Sequence, residues 1–263
     1  MDRRPLYKWM TEDWLRSQYV SGRKSLHQIA VDLGVTSNAI QMWMVKFGIP
    51  RRSCADAIYL TREKHVSLSE EAIQFLVGEL LGDGHLHSDN ERSARFQSGS
   101  KHLGYIQWLD KTFRGFGLYR SGKIQKTRTV WKSGAISVVH HYASLRYPEL
   151  LSLHKMFYDN GRKIVPLDVD LKPLVVRQWY IGDGYLLHRP GGRRRKILLS
   201  TQGFSVDDVE LLVRKIHNLG FKASRQKSNN VIGISDSSTN SFLSYIGCCP
   251  NEIQPFYGYK WAA

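Results

Sequence analysis

The sequence is short of three things, and each shortage excludes something. No apolar run reaches the roughly 18 residues that a membrane-spanning helix needs. Cysteine is scarce: there are Cys54 and the adjacent Cys248 and Cys249. Thiols without a CxxC pair cannot build a zinc framework or a disulfide scaffold, so they read as reduced and structural. Acid is scarce too, with 23 Asp and Glu against 38 Lys and Arg, a net charge of +15. That surplus argues for a polyanionic partner, nucleic acid before an anionic membrane surface. The opening Met1-Asp2-Arg3-Arg4-Pro5 lacks the apolar core of a secretory signal. An intracellular protein of the cytoplasm or nucleoid is expected, with an organellar origin left open. Apolar residues make up 42% of the 263, enough for a real core and for one large domain or two to three small ones.

Against these absences stand one stretch and its echo. Phe75-Leu76-Val77-Gly78-Glu79-Leu80-Leu81-Gly82-Asp83-Gly84-His85-Leu86 is an apolar helical run that stops at Gly-Asp-Gly and turns strand-like. Val176-Arg177-Gln178-Trp179-Tyr180-Ile181-Gly182-Asp183-Gly184-Tyr185-Leu186 repeats the scheme 100 positions on. That is an internal duplication. Gly78 and Gly82 share one helix face. Each costs about 1 kcal/mol against alanine, so a close backbone approach is expected there. Gln178 stands where the first copy has Gly78, so that interface is not expected to be symmetric. Gly84 and Gly184 are expected as left-handed caps. Asp83 and Asp183 would then sit at the negative ends of their helices. If the helices pack together, two carboxylates meet as well, and something cationic must compensate. Divalent ions gripping a phosphodiester would do so, and a site of few hard oxygens suits Mg²⁺.

The two copies resemble the LAGLIDADG motif, and the chain from about Ser69 to Trp261 resembles the single-chain LAGLIDADG homing endonucleases. The resemblance implies that Asp83, Asp183 and the carbonyls of Gly82 and Gly182 bind metal. It also implies an α+β fold of two pseudo-symmetric αββαββα halves that form a DNA-binding saddle. Lys163, before the apolar-Pro segment Ile164-Val165-Pro166, lies where the family often carries an active-site lysine. Lys260, in the terminal Tyr-Lys segment, is its counterpart. Gln202 in Thr201-Gln202-Gly203-Phe204-Ser205 fits the polar residue that approaches the metal-bound water network. Its equivalent in the first half is Ser100.

Ahead of this body, Leu26, Ile29, Ala30 and Leu33 mark a helical face that Gly34 breaks, and Thr36 or Ser37 can cap a second helix from Asn38. Helix, glycine turn and helix resemble a helix-turn-helix, with Ala30 at the crossing and Ile40 and Trp43 in the core. A helix near Glu12 to Tyr19 completes a small all-α bundle. Ser37, Asn38 and Gln41 are then placed to read bases, and Arg51 and Arg52 to hold phosphates. The expected division is 1–60 for this unit, 61–69 for a linker, 70–166 for the first half and 167–263 for the second.

Within the halves, the alternation in Arg95-Phe96-Gln97-Ser98 buries Phe96 and turns Arg95 and Gln97 toward the saddle. A strand within Lys123–Lys132 carries Lys126, Arg128 and Lys132 as a basic edge. A hairpin tip, Arg189-Pro190-Gly191-Gly192-Arg193-Arg194-Arg195, packs arginine for phosphate contacts. Helices are expected over Lys101–Phe116, from Pro148, over Ser205–Leu219 and near Asn240–Gly247.

The reading is a monomeric, divalent-metal-dependent homing endonuclease cutting double-stranded DNA at a long asymmetric site. Mg²⁺ is the expected cofactor, with Mn²⁺ or Ca²⁺ substituting for binding. The alternative is a non-cleaving binder, an intron RNA maturase or a DNA-binding regulator; the retention of both aspartates favours the enzyme. An intein fragment is set aside, because Met1 stands where an intein needs a nucleophile and the end lacks His-Asn. A free-standing chain is expected.

Overall fold

The computed structural model describes residues 11–54, 56, 64–89, 91–130, 134–188 and 195–262. Lys132, Arg189, Arg193 and Arg194 lie outside the described residues. The chain divides into two compact units, Met1–Glu63 and Lys64–Ala263.

The first unit is helical. α1 (Glu12–Arg16) is capped by Thr11 and runs on as a π-helical turn, Ser17–Ser21. α2 (Leu26–Leu33) opens on a capping box, in which Ser25 accepts from the Gln28 N–H and Gln28 from the Ser25 N–H. Gly34 ends it at φ 64°, a conformation that glycine adopts without strain. Thr36 then caps α3 (Ser37–Lys46). Leu15, Ile29, Ala30, Ile40, Met44 and Ile49 form the core. Met44, one turn after Ile40, takes the buried place that was expected of Trp43, which only packs against the edge.

The second unit begins with α4 (Glu70–Leu81), whose orphan amide at Ala72 is taken by Ser69, with Glu70 and Glu71 at its positive end. Then follow β1 (His85–His87), β2 (Arg95–Ser100), α5 (Leu103–Gly115), β3 (Gln125–Val130), β4 (Ile136–Ala143) and α6 (Glu149–Phe157). A two-residue ladder, β5 (Tyr158–Asp159) with β6 (Arg162–Lys163), turns at Asn160-Gly161, both at positive φ. The scheme restarts with α7 (Pro173–Asp183), β7 (Gly184–His188), β8 (Arg195–Leu199), α8 (Val206–Asn218), β9 (Ala223–Gln226), β10 (Val231–Ile234) and α9 (Asp236–Ile246). α9 starts four residues before the expected Asn240, with Ser235 at its N-cap. Beyond it come a 3₁₀ turn and α10 (Gln254–Tyr257).

The two antiparallel sheets have the same order, β1-β2-β4-β3 and β7-β8-β10-β9, so the duplication seen in the motif extends to topology. One hydrophobic core runs through both halves. Phe96 from β2 meets Phe113 of α5 edge-on at 4.8 Å, and Phe75 of α4 touches Trp108 and Phe113 at 5.6 and 5.5 Å. Truncating a buried ring such as Phe96 to alanine would cost about 3–5 kcal/mol.

α4 and α7 pack backbone to backbone. A Cβ on Gly78 would strike the Val175 carbonyl oxygen and lie 2.6 Å from the Gln178 Cβ. The pair is thus glycine against glutamine. Gln178 is 1% exposed, and neither atom of its amide has a hydrogen-bond partner among the described residues.

Candidate active site at the seam of the two motif helices

The α4–α7 seam delivers both aspartates to one place. A Cβ on Gly182 would lie 3.2 Å from the Asp83 N and 3.6 Å from its Oδ2, so the Asp83 carboxylate abuts the backbone of the other motif. A Cβ on Gly82 would lie 3.7 Å from the Gly182 Cα. Asp183 shares a pocket of about 170 Å³ with Gly82, Lys163, Thr201 and Gln202. Burial raises both carboxyls above the usual range. Asp183 is pushed to about 7, by burial first and by the Asp83 charge second, with Lys163 and Lys260 opposing.

The glycines after the aspartates do not act as expected. Neither Gly84 nor Gly184 has a positive φ; Gly184 is extended at φ −87°, ψ 151°. Close approach explains them instead. A Cβ on Gly84 would lie 2.7 Å from the Phe96 ring and 2.8 Å from the Glu79 carbonyl, and one on Gly184 would collide with the Tyr180 ring.

Each half supplies one lysine to the seam. The Asn160-Gly161 turn brings Lys163 back, and its Nζ donates to the carbonyls of Gly82 and Gly84 at 3.1 and 2.8 Å. Lys260, only 4% exposed, donates to the carbonyls of Tyr180, Ile181 and Gly182 at 3.3, 2.6 and 3.1 Å. Tyr180 Oη in turn donates to the Lys260 carbonyl at 2.5 Å. Burial lowers both ammonium groups to about 8, while the aspartates pull the other way.

Two groups at the seam went unread in the sequence. Glu79, 2% exposed, accepts from Tyr105 Oη through both carboxylate oxygens, at 2.8 and 3.1 Å. Burial pushes it to about 8, against the Tyr105 hydrogen bond. The available signal was an acid on the apolar run between Gly78 and Leu80. The other is Tyr257, whose hydroxyl lies 3.1 Å from Ser100 Oγ.

Among the described residues no cluster of three or more His, Cys, Asp or Glu side chains could hold a metal. Asp83, Asp183 and the Gly82 and Gly182 carbonyls are nonetheless hard oxygen donors. The two carboxylates are crowded and desolvated, which a dication would relieve. The carbonyls already accept from ammonium groups. Two carboxylates and two carbonyls are few, hard oxygen donors, a set that fits a divalent cation which keeps positions for water and a phosphate.

The candidate nucleic-acid contacts sort by exposure. Lys126 and Arg128 stand on β3, an edge strand exposed along its length. Arg95 and Gln97 flank buried Phe96 on β2, and Gln97 Oε1 is 3.1 Å from His85 Nε2. Arg195 opens β8 and donates to Asn240 at 2.7 Å. In the first unit Ser37, Asn38, Gln41, Arg51 and Arg52 line one concavity of about 760 Å³ with Arg23 and Lys24. Arg52 is engaged internally. Its guanidinium donates to the Lys24 carbonyl at 2.8 Å and lies 3.9 Å from the Tyr19 ring centre, and its N–H donates to Tyr19 Oη.

The sequence profile described as the LAGLIDADG DNA endonuclease family matches residues 73–242, across both motif copies. The chain belongs to this family. Among relatives, an uncharacterized protein of Methanocaldococcus jannaschii is 26% identical over 206 residues, 74% of this chain and 78% of that protein. The cytochrome b mRNA maturase bI2 of Debaryomyces hansenii is 28% identical over 153 residues, covering 56% of this chain and only 55% of the maturase. Among solved structures, the homing endonuclease I-WcaI bound to its DNA recognition sequence matches with a TM-score of 0.66 at 20% identity, over 82% of this chain and 95% of that one. The likeness carries the α+β fold of two paired halves. No helix among the described residues is long and apolar enough to cross a membrane.

Proposed function

We propose that this LAGLIDADG protein is a monomeric, site-specific homing endonuclease that breaks both strands of a long, asymmetric DNA target. The observation that carries this reading is the cross-pairing at the seam, with Asp83 against the Gly182 backbone and Asp183 in one pocket with Gly82, Lys163 and Gln202. Asp83, Asp183 and the carbonyls of Gly82 and Gly182 would hold Mg²⁺, or Mn²⁺ or Ca²⁺ for binding, and the metal supplies Lewis acidity toward the phosphodiester. The chain's own residues do the rest. The Lys163 and Lys260 ammonium groups counter the negative charge that develops on the phosphate. Gln202 orients water on the Asp183 side. Glu79, kept largely neutral by burial, adds little negative charge where a phosphate must enter.

DNA would lie along the two sheets. Arg95 and Gln97 face it there; the register puts Lys126 and Arg128 on the Phe96 face of the same sheet and Arg195 on the Ile197 face of the other, so these three, like Lys132, Arg189, Arg193 and Arg194, are assigned only phosphate contacts beyond the saddle. The unit of residues 1–60 extends the footprint by linkage: Ser37, Asn38 and Gln41 read bases, Arg51 holds a phosphate, and Arg52 buttresses the concavity from within. Each phosphate neutralised should steepen the salt dependence of binding by about 0.9 in log–log slope.

The test is selection of cleaved sites from a random duplex library, with Mg²⁺ and with chelator. One long site cut on both strands only with metal supports the reading. Absence of cutting with every divalent ion would sink it. The maturase relative favours a second reading, intron RNA binding without cleavage, which splicing assays with and without the protein address. Deleting residues 1–60 should weaken DNA binding more than catalysis; unchanged affinity would remove the role given to that unit.

A further inference from the structure

The two halves of the seam carry different polar groups beside their lysines. On the Asp183 side the amide is Gln202, exposed in the pocket with Lys163. By strand register the position that corresponds to Gln202 in the first half is Lys101, which offers no amide, and Ser100 beside it corresponds to Thr201. There a second hydroxyl arrives from the far end of the chain. Tyr257 Oη is 3.1 Å from Ser100 Oγ, and Lys260 Nζ stands 5.1 Å from the centre of the Tyr257 ring. Lys260 bonds the Gly182 carbonyl, and Gly182 abuts the Asp83 carboxylate, so the pair belongs to the Asp83 side. On the other side the pocket hydroxyls are those of Ser200 and Thr201, and Thr201 Oγ1 is spent on the Asn230 carbonyl. Lys163 has the Phe204 ring 5.7 Å away instead, and the residue three before it, Asn160, is the turn residue bonded to Asp159.

We propose that the Ser100–Tyr257 hydroxyl pair orients water on the Asp83 side, the role that the Gln202 amide has on the Asp183 side. The inference rests on the endonuclease reading. A count of protons supports it. Two hydroxyls hold two donor hydrogens, and the bond between them uses one. Ser100 Oγ also accepts from the His102 N–H at 3.1 Å. One donor hydrogen is therefore left for an outside acceptor, and both residues are partly open to solvent. Where a glutamine is missing, a tyrosine from the other half restores the reach. The pair positions water and takes no net proton. The two DNA strands are thus cut through unlike hydrogen-bond networks.

The experiment is strand-resolved, single-turnover cleavage of an end-labelled duplex by the full chain. Tyr257→Phe keeps the ring against His102 and Tyr105 and removes only the oxygen. It should slow one strand by about a hundredfold, leave the other strand and DNA affinity unchanged, and accumulate nicked product. Ser100→Ala should slow the same strand, with the double variant no worse than either single one, and Gln202→Ala should slow the opposite strand. Equal slowing of both strands, or of neither, overturns the pair's role while leaving the endonuclease reading intact. Failure of the unaltered protein to cut either strand overturns the endonuclease reading, and the inference with it. Should Tyr257→Phe lose its cooperative melting transition, Ser100→Ala alone carries the same strand test.

Discussion

The two motif helices share a topology and an aspartate but differ at adjacent positions of the seam, Gly78-Glu79 in α4 and Gln178-Trp179 in α7. The difference shows how little symmetry the site needs. Close approach requires the Cβ to be absent on one side only, and the Gln178 Cβ occupies the space that Gly78 leaves. Glu79 buries a carboxyl where its counterpart Trp179 buries an indole. The sheets repeat each other, while the seam has diverged around the fixed points Asp83 and Asp183.

The comparison breaks most sharply at those aspartates. Asp83→Asn and Asp183→Asn should each lower cutting by about a thousandfold, on opposite strands, in the same strand-resolved assay. If either substitution silences both strands equally, the halves act as one unit. Next in size is the seam itself. Gly78→Ala forces a methyl into the Val175 carbonyl and should cost roughly 3 kcal/mol of overpacking. Adding Gln178→Gly removes the Cβ contact but not the Val175 carbonyl, so the double variant should be destabilised by less than the sum of the two single ones in denaturant titrations; strict additivity would show that the two residues are not opposed.

A comparable effect separates Glu79 from Trp179. The folded-state pKa of Glu79 is raised from 4.5 to about 8, so the native state holds a proton that the unfolded chain releases between those values. Its contribution is therefore favourable at low pH and is lost as pH rises from about 4.5 toward 8. Glu79→Gln keeps an acceptor for Tyr105 and cannot ionise. Its stability relative to the parent should improve by on the order of 4 kcal/mol between pH 5 and 8; an unchanged difference would argue against the burial effect. Smallest is Gln178→Leu, which removes an unpartnered buried amide of similar volume and should stabilise by about 1 kcal/mol, read as a higher Tm.

Much of this architecture is legible in the sequence because it is local. Helix faces, the caps Thr36, Ser69 and Ser205, and the alternation around Phe96 need only near neighbours. The aspartates stood out through repetition, and the two lysines only through the family resemblance. What escaped reading was set by distant contacts. Gly84 and Gly184 looked like left-handed caps because sequence reveals a glycine but not the Phe96 or Tyr180 ring that crowds it. Glu79 went unread because the Tyr105 hydroxyl that meets its carboxylate comes 26 residues later. Tyr257 finds Ser100 across 157 residues, beyond any local periodicity. Arg52 resembled a phosphate contact and instead braces Tyr19, because side-chain direction is fixed only once the bundle packs.

The glycine–glutamine seam has one more consequence, through the segment between Lys163 and Pro173 that joins its two sides. Two separate subunits at nanomolar concentration would need an interface tight enough to associate. Tethered halves meet at an effective concentration of about a millimolar. The difference of about six powers of ten corresponds to roughly 8 kcal/mol that the seam need not supply by its own contacts. An unpartnered Gln178 amide and a buried Glu79 carboxyl are tolerable under those conditions. Separated into two chains, the same surfaces would have to lose both before they could find each other in dilute solution.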